Sequence, residues 1–153
     1  MMTLNLRVFF ALFIVFGLSI LPLPHMMMAI RPPWVLLFVL YIQFYLPNYF
    51  SVTLLLLLGL CLDVLLSTMI GEHAFALILA AWFAASKTRR FNFFSMVQQM
   101  MLVASFCLIY QLTIFLIDAF LGYHNEPMMV IGTTILSMFF WPWARVLADG
   151  TLT

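Results

Sequence analysis

Residues 59–72 read GLCLDVLLSTMIGE. One aspartate, Asp63, stands in a run otherwise suited to lipid, and its reading decides the architecture. The whole chain is as apolar as this stretch. Hydrophobic residues make up 67% of its 153 positions, charged residues 7%, and the mean hydropathy is +1.19. Ordinary soluble domains carry about 25% charged residues. A surface so poor in charge would precipitate from water, so the expected solvent is the bilayer. The expectation is one integral membrane domain over residues 1–153.

Several function classes fall away at once. A net charge of +1 offers no electrostatic footprint for nucleic acid. Cys61 and Cys107 sit in apolar runs and read as small buried hydrophobes. His25, His73 and His124 fall in separate connections, so neither a metal nor another cofactor is expected. The chain lacks GxSxG, HExxH, P-loop and GxGxxG patterns. Ser67 has no histidine in register, and Asp63 and Asp118 are expected at different depths. Catalysis is therefore the least supported class.

Apolar runs occupy residues 8–23, 34–46, 51–70, 74–86, 97–121 and 128–147. Pro22 and Pro24 close the first, and RPP opens the second at a place where helices tolerate proline. MMMAI is a poor match to a signal-peptide cleavage site, so the first run is expected to stay attached. A spanning helix needs about 20 residues. The pattern predicts an all-α membrane protein, a six-transmembrane-helix bundle with short second and fourth helices. With a cytoplasmic N-terminus, Arg7, Lys87, Arg89, Arg90 and Arg145 fall inside and only Arg31 outside. The positive-inside rule then places both termini in the cytoplasm. Trp82, Trp141 and Trp143 would mark the inner interface and Trp34 the outer one.

Counting by four from Gly59 gives Asp63, Ser67 and Gly71, which stay on one slowly drifting helical stripe. Small residues at that spacing let another backbone approach closely. A charge at a helix centre costs about 2.5–3.5 kcal/mol on insertion scales, so Asp63 is expected to face protein or water. Its candidate partners are Gln111, with Tyr110 and Thr113 beside it, or Arg31, or a second protein. Three roles stand open: a packing carboxylate, a partner contact, or a proton relay, for which no chain of titratable groups is evident. Ala104, Gln111 and Asp118 repeat at seven and share a face. KTRR (87–90) reads as a topology signal or a contact for anionic lipid or protein. WPWAR (141–145) reads as an interfacial anchor at a proline-disturbed helix end, or as an interaction site.

These motifs assemble into a resemblance. IRPPWVLLFVLY (30–41), GLCLDVLLSTMIGEHAF (59–75) and WPWARVL (141–147) resemble, in order and spacing, the rod-shape-determining MreD family. Pro33 stands where that family commonly has a polar residue. The resemblance covers essentially the whole chain. It implies a multi-pass protein of the bacterial cytoplasmic (inner) membrane and a non-enzymatic scaffold of the cell-elongation machinery. It implies MreC as direct partner, with MreB and the glycosyltransferase–transpeptidase pair of side-wall peptidoglycan synthesis nearby. It further implies a fold similar to the substrate-binding subunits of energy-coupling-factor transporters. Asp63 then organises the bundle or grips a partner helix, and Arg31 and Trp34 are where an outer partner would touch. The competing reading is the membrane subunit of a vitamin or other small-molecule importer. Its polar site would draw on His25, Arg31, Glu72, His73, His124, Asn125 and Glu126.

Overall fold

Trp34–Tyr45 (α2) reads WVLLFVLYIQFY, apolar on every side rather than along one stripe. A helix without a polar face has to be covered all round. In the computed structural model, residues 35–44 are buried without a break. The structure describes residues 2–22, 24, 31–124 and 126–152. His25, Asn125 and the whole MMMAI stretch (26–30) lie outside them.

Around α2 stand Met2–Ile20 (α1), Val52–Leu66 (α3), Glu72–Ala85 (α4), the single turn Thr88–Phe91 (α5), Met96–Leu121 (α6) and Pro127–Leu152 (α7). A 3-10 turn, Pro47–Tyr49, links α2 to α3. The described residues thus form seven α-helices and no strand. The helix pairs α3–α4, α6–α7 and α4–α6 share the main packing faces, and α1 lies on α2. Local chemistry sets several ends. Ser51 caps α3 by accepting from Leu54 N–H at 3.1 Å. Ser95 and Gln98 exchange hydrogen bonds in a capping box that opens α6. Gly122, at φ 85°, closes α6.

The six-spanning-helix expectation is overturned. Among the described residues, only Met96–Leu121 and Pro127–Leu147 are long and apolar enough to cross a membrane. Leu6–Ile20, Trp34–Tyr45, Val52–Leu66 and Glu72–Ala85 are shorter apolar helices. The reason is rise per residue. A 15-residue helix such as α3 extends about 22 Å, short of a hydrocarbon core of about 30 Å. The placement of both termini in the cytoplasm rested on that even count of crossings and falls with it. So does the likeness to transporter substrate-binding subunits. The third run ends four residues before Ile70, and the last passes through Pro142 without breaking.

At the Tyr45 end of α2, aromatics close the core. Phe44 stacks on Phe91 with centroids 3.7 Å apart, and Trp141 meets Phe91 edge-on at 5.8 Å. Trp141 is fully buried, a core residue rather than an interfacial one, whereas Trp143 and Trp82 are exposed. Gln99 knits this end together. Its Nε2 donates to the Phe91 and Phe94 carbonyls, and its Oε1 accepts from Arg145 at 3.1 Å. Deeper along α2, Gln43 donates to the Ala81 carbonyl at 2.9 Å. Tyr41 donates to Asp149 at 2.9 Å.

Candidate functional site

The α3–α4 hairpin closes around Asp63. After Leu66 the chain turns left-handed at Ser67 (φ 53°), and Gly71 holds φ 102° just before α4. A left-handed conformation suits glycine, which lacks the Cβ that crowds it. The turn folds back over the carboxylate. Asp63 Oδ2 accepts from Gly71 N–H at 2.6 Å. Oδ1 accepts from His73 N–H at 3.0 Å, from His73 Nδ1 at 2.9 Å and from the Thr68 hydroxyl at 3.3 Å. The Asp63 side chain is fully buried. A buried carboxylate is tolerated when its lone pairs are occupied, and these are.

Two glycines make the hairpin possible. A Cβ on Gly59 would collide with Cα and N of Ala74, so α3 and α4 touch there through their backbones. Gly71 has open space around it, so its requirement is conformational. The four residues of the expected stripe therefore divide. Gly59 and Asp63 face α4, while Ser67 and Gly71 belong to the turn. Gly71 reaches Asp63 by folding back, not by helical spacing.

Glu72 and His73 lie at this turn, outside the two membrane-length helices. Burial, with the Asp118 and Asp63 carboxylates near, pushes the Glu72 carboxyl up to about 7. Burial also lowers the His73 imidazole, against the opposing pull of Asp63. The 2.9 Å contact is therefore best drawn as a neutral imidazole donating Nδ1–H to a carboxylate, leaving Nε2 as an acceptor. A carboxylate held by four donors has little capacity left to act as base or nucleophile. Among the described residues, no three His, Cys, Asp or Glu side chains gather as a metal site.

Beside the hairpin lies a cavity of about 180 Å³, at the Trp34 end of α2. Arg31, Trp34, His73, Tyr110 and Gln111 line it. Three sequence-predicted residues, Arg31, Trp34 and Gln111, thus meet here, although none binds Asp63. Arg31 donates to the Ser19 carbonyl at 3.2 Å and the Leu21 carbonyl at 2.8 Å. Trp34 packs edge-on against Phe140 at 4.9 Å. Asp118 is half-buried farther along α6 and acts on Glu72 electrostatically. Trp141 and Trp143 are elsewhere, on α7. Sequence reasoning missed Thr68 and His73 as the partners of Asp63. The usable signal was DVLLSTMIGEH: a carboxylate ahead of a glycine turn that ends in a donor.

A second, almost wholly apolar groove of about 310 Å³ runs between α1, α2 and α7. Ile14, Leu18, Leu37, Phe38 and Leu147 are among its walls. Elsewhere on α1, Phe9, Phe10 and Phe13 are exposed.

No solved structure matches this chain, so the similarity to energy-coupling-factor transporter subunits gains no support. A curated relative, the rod shape-determining protein MreD of Haemophilus influenzae, is 31% identical over 134 residues, covering 88% of this chain and 83% of its own. The family described as rod shape-determining protein MreD matches over residues 1–149. A match of that extent, with the relative's identity and coverage, places this chain in the MreD family.

Proposed function

We propose that this chain is a non-enzymatic membrane scaffold of bacterial cell elongation, binding MreC and helping to organise side-wall peptidoglycan synthesis and rod shape. The observation that carries the reading is the family match over residues 1–149, together with the relative's name. The geometry is compatible with it. The Asp63 carboxylate is spent on tying a hairpin. α6 and α7 provide the membrane-length helices of a multi-pass protein in the cytoplasmic membrane. The apolar groove between α1, α2 and α7 suits a partner anchored by one apolar helix. MreB and the glycosyltransferase–transpeptidase pair would then associate directly or through MreC.

The test is affinity purification from native membranes in a gentle detergent, with mass spectrometry of proteins and small molecules. MreC should co-purify, and cells depleted of the chain should lose rod shape. Recovery of transporter ATPases or a stoichiometric vitamin, without MreC, would overturn the scaffold reading in favour of an importer.

A further inference from the structure

The cavity at the Trp34 end of α2 carries more hydrogen-bonding capacity than its own walls consume. Arg31 spends two terminal nitrogens on backbone carbonyls, which leave its charge unneutralised. Among the described residues no carboxylate pairs with it, and its Nε is buried without a partner. The Tyr110 hydroxyl, the Gln111 amide and the Trp34 indole N–H also have no partner among the described residues. His73 spends its Nδ1–H on Asp63 and so adds no donor to the cavity. Of these groups it is Arg31 Nε that is buried away from water, and a buried donor left unpaired loses its hydration without return.

Several donors around a cation ask for acceptors and negative charge. Asp63 does not answer, because its oxygens already serve Gly71, His73 and Thr68. At about 180 Å³ the space exceeds that of a few waters and admits a small ionic group with part of its attachment. Leu62, Leu66 and Ile114 give the cavity an apolar side.

We infer that this cavity binds a small oxyanion, a phosphate or carboxylate group, held by Arg31 with Trp34, Tyr110 and Gln111. Arg31 supplies the charge and a directed N–H; the neutral donors fix the orientation. The apolar wall takes whatever the anion is attached to. The source is either a lipid headgroup or a free solute, and the site chemistry is the same for both. This binding is independent of the scaffold role, and its failure would leave that role standing.

The experiment uses the full chain in dodecyl maltoside, which contains no phosphate. Its melting temperature is followed against inorganic phosphate, sodium acetate and short-chain phosphatidylglycerol. A saturable rise with at least one probe is expected. R31Q should weaken the midpoint by about tenfold or more, and Q111L should weaken it less, in line with charge-assisted against neutral hydrogen bonds. K87Q/R89Q/R90Q in the exposed basic segment should leave it unchanged. A response to phosphate or acetate identifies a free oxyanion; a response to phosphatidylglycerol alone identifies a lipid. If R31Q does not fold, Y110F and Q111L carry the comparison. The inference is overturned if no probe gives a saturable rise. It is equally overturned if the cavity variants keep the response while the basic-segment variant loses it.

Discussion

Asp63 and His73 meet twice. One carboxylate oxygen accepts both the backbone N–H of His73, at 3.0 Å, and its Nδ1, at 2.9 Å. The residues are ten apart, on opposite arms of the α3–α4 hairpin, so this double contact fixes both the turn and the start of α4.

Asp63→Ala should therefore be among the most damaging single changes outside the aromatic core. It strands the Gly71 and His73 amides without an acceptor, and each buried donor left unsatisfied costs about 1–3 kcal/mol. Asp63→Asn retains a carbonyl acceptor and should lose less. Unfolding in mild detergent, followed by circular dichroism, would rank wild type above Asn and Asn above Ala. Equal stability of all three would contradict this role.

Gly59→Ala tests the backbone contact between α3 and α4. The added methyl meets Ala74 Cα and N as well as its Cβ. Overpacking of this kind costs about 1–3 kcal/mol. Because backbone atoms are struck, adding Ala74→Gly should not restore the melting temperature. Full rescue by the double variant would show that only the side-chain methyl matters.

Gly71 has space but the wrong backbone angle for a side chain, at φ 102°. Gly71→Ala should cost about 1–2 kcal/mol, and Gly71→Asn less, since asparagine enters left-handed conformations more readily. Melting temperatures of the two variants compare the angle's demand directly, with Asn expected above Ala.

The two tryptophans of WPWAR should separate sharply. Trp141 is fully buried against Phe91, so Trp141→Ala should cost about 3–5 kcal/mol. Trp143 is 71% exposed, and Trp143→Ala should stay within about 0.5 kcal/mol in detergent. Parallel melts of the two variants check this.

Glu72 should make stability pH-dependent. Its folded-state value, pushed up to about 7 from 4.5, means that the folded protein holds this proton more tightly. Its stabilising contribution is then complete below about 4.5 and is lost as pH rises through about 7. His73, lowered by burial, acts oppositely: its contribution is present above the ordinary histidine value of about 6.5 and is lost as pH falls below it. The difference in melting temperature between wild type and E72Q isolates Glu72. It should shift against wild type between pH 5 and pH 8, the region spanning that value. A pH-independent difference would refute the assignment.

The sequence by itself determined what depends on neighbours along the chain. Helical character follows from long apolar runs, and their separation follows from Pro47, Gly71 and Gly122. The order of RPPW, the Asp63 stretch and WPWAR carried the family. The cost of a charge at a helix centre turns Asp63 away from lipid, toward protein or water, without naming its partner. Tertiary structure decided the rest. Helical spacing placed Ser67 and Gly71 beside Asp63 on one stripe, but a left-handed turn after Leu66 brings Gly71 and His73 back onto the carboxylate instead. Apolar composition alone could not separate short helices packed around α2 from helices that cross a bilayer, because burial in protein and burial in lipid select the same side chains. Arg31 and Trp34 are far along the chain from Tyr110 and Gln111, and the two pairs meet only because α2 and α6 pack beside the hairpin. Such convergence has no periodicity that a one-dimensional reading can detect.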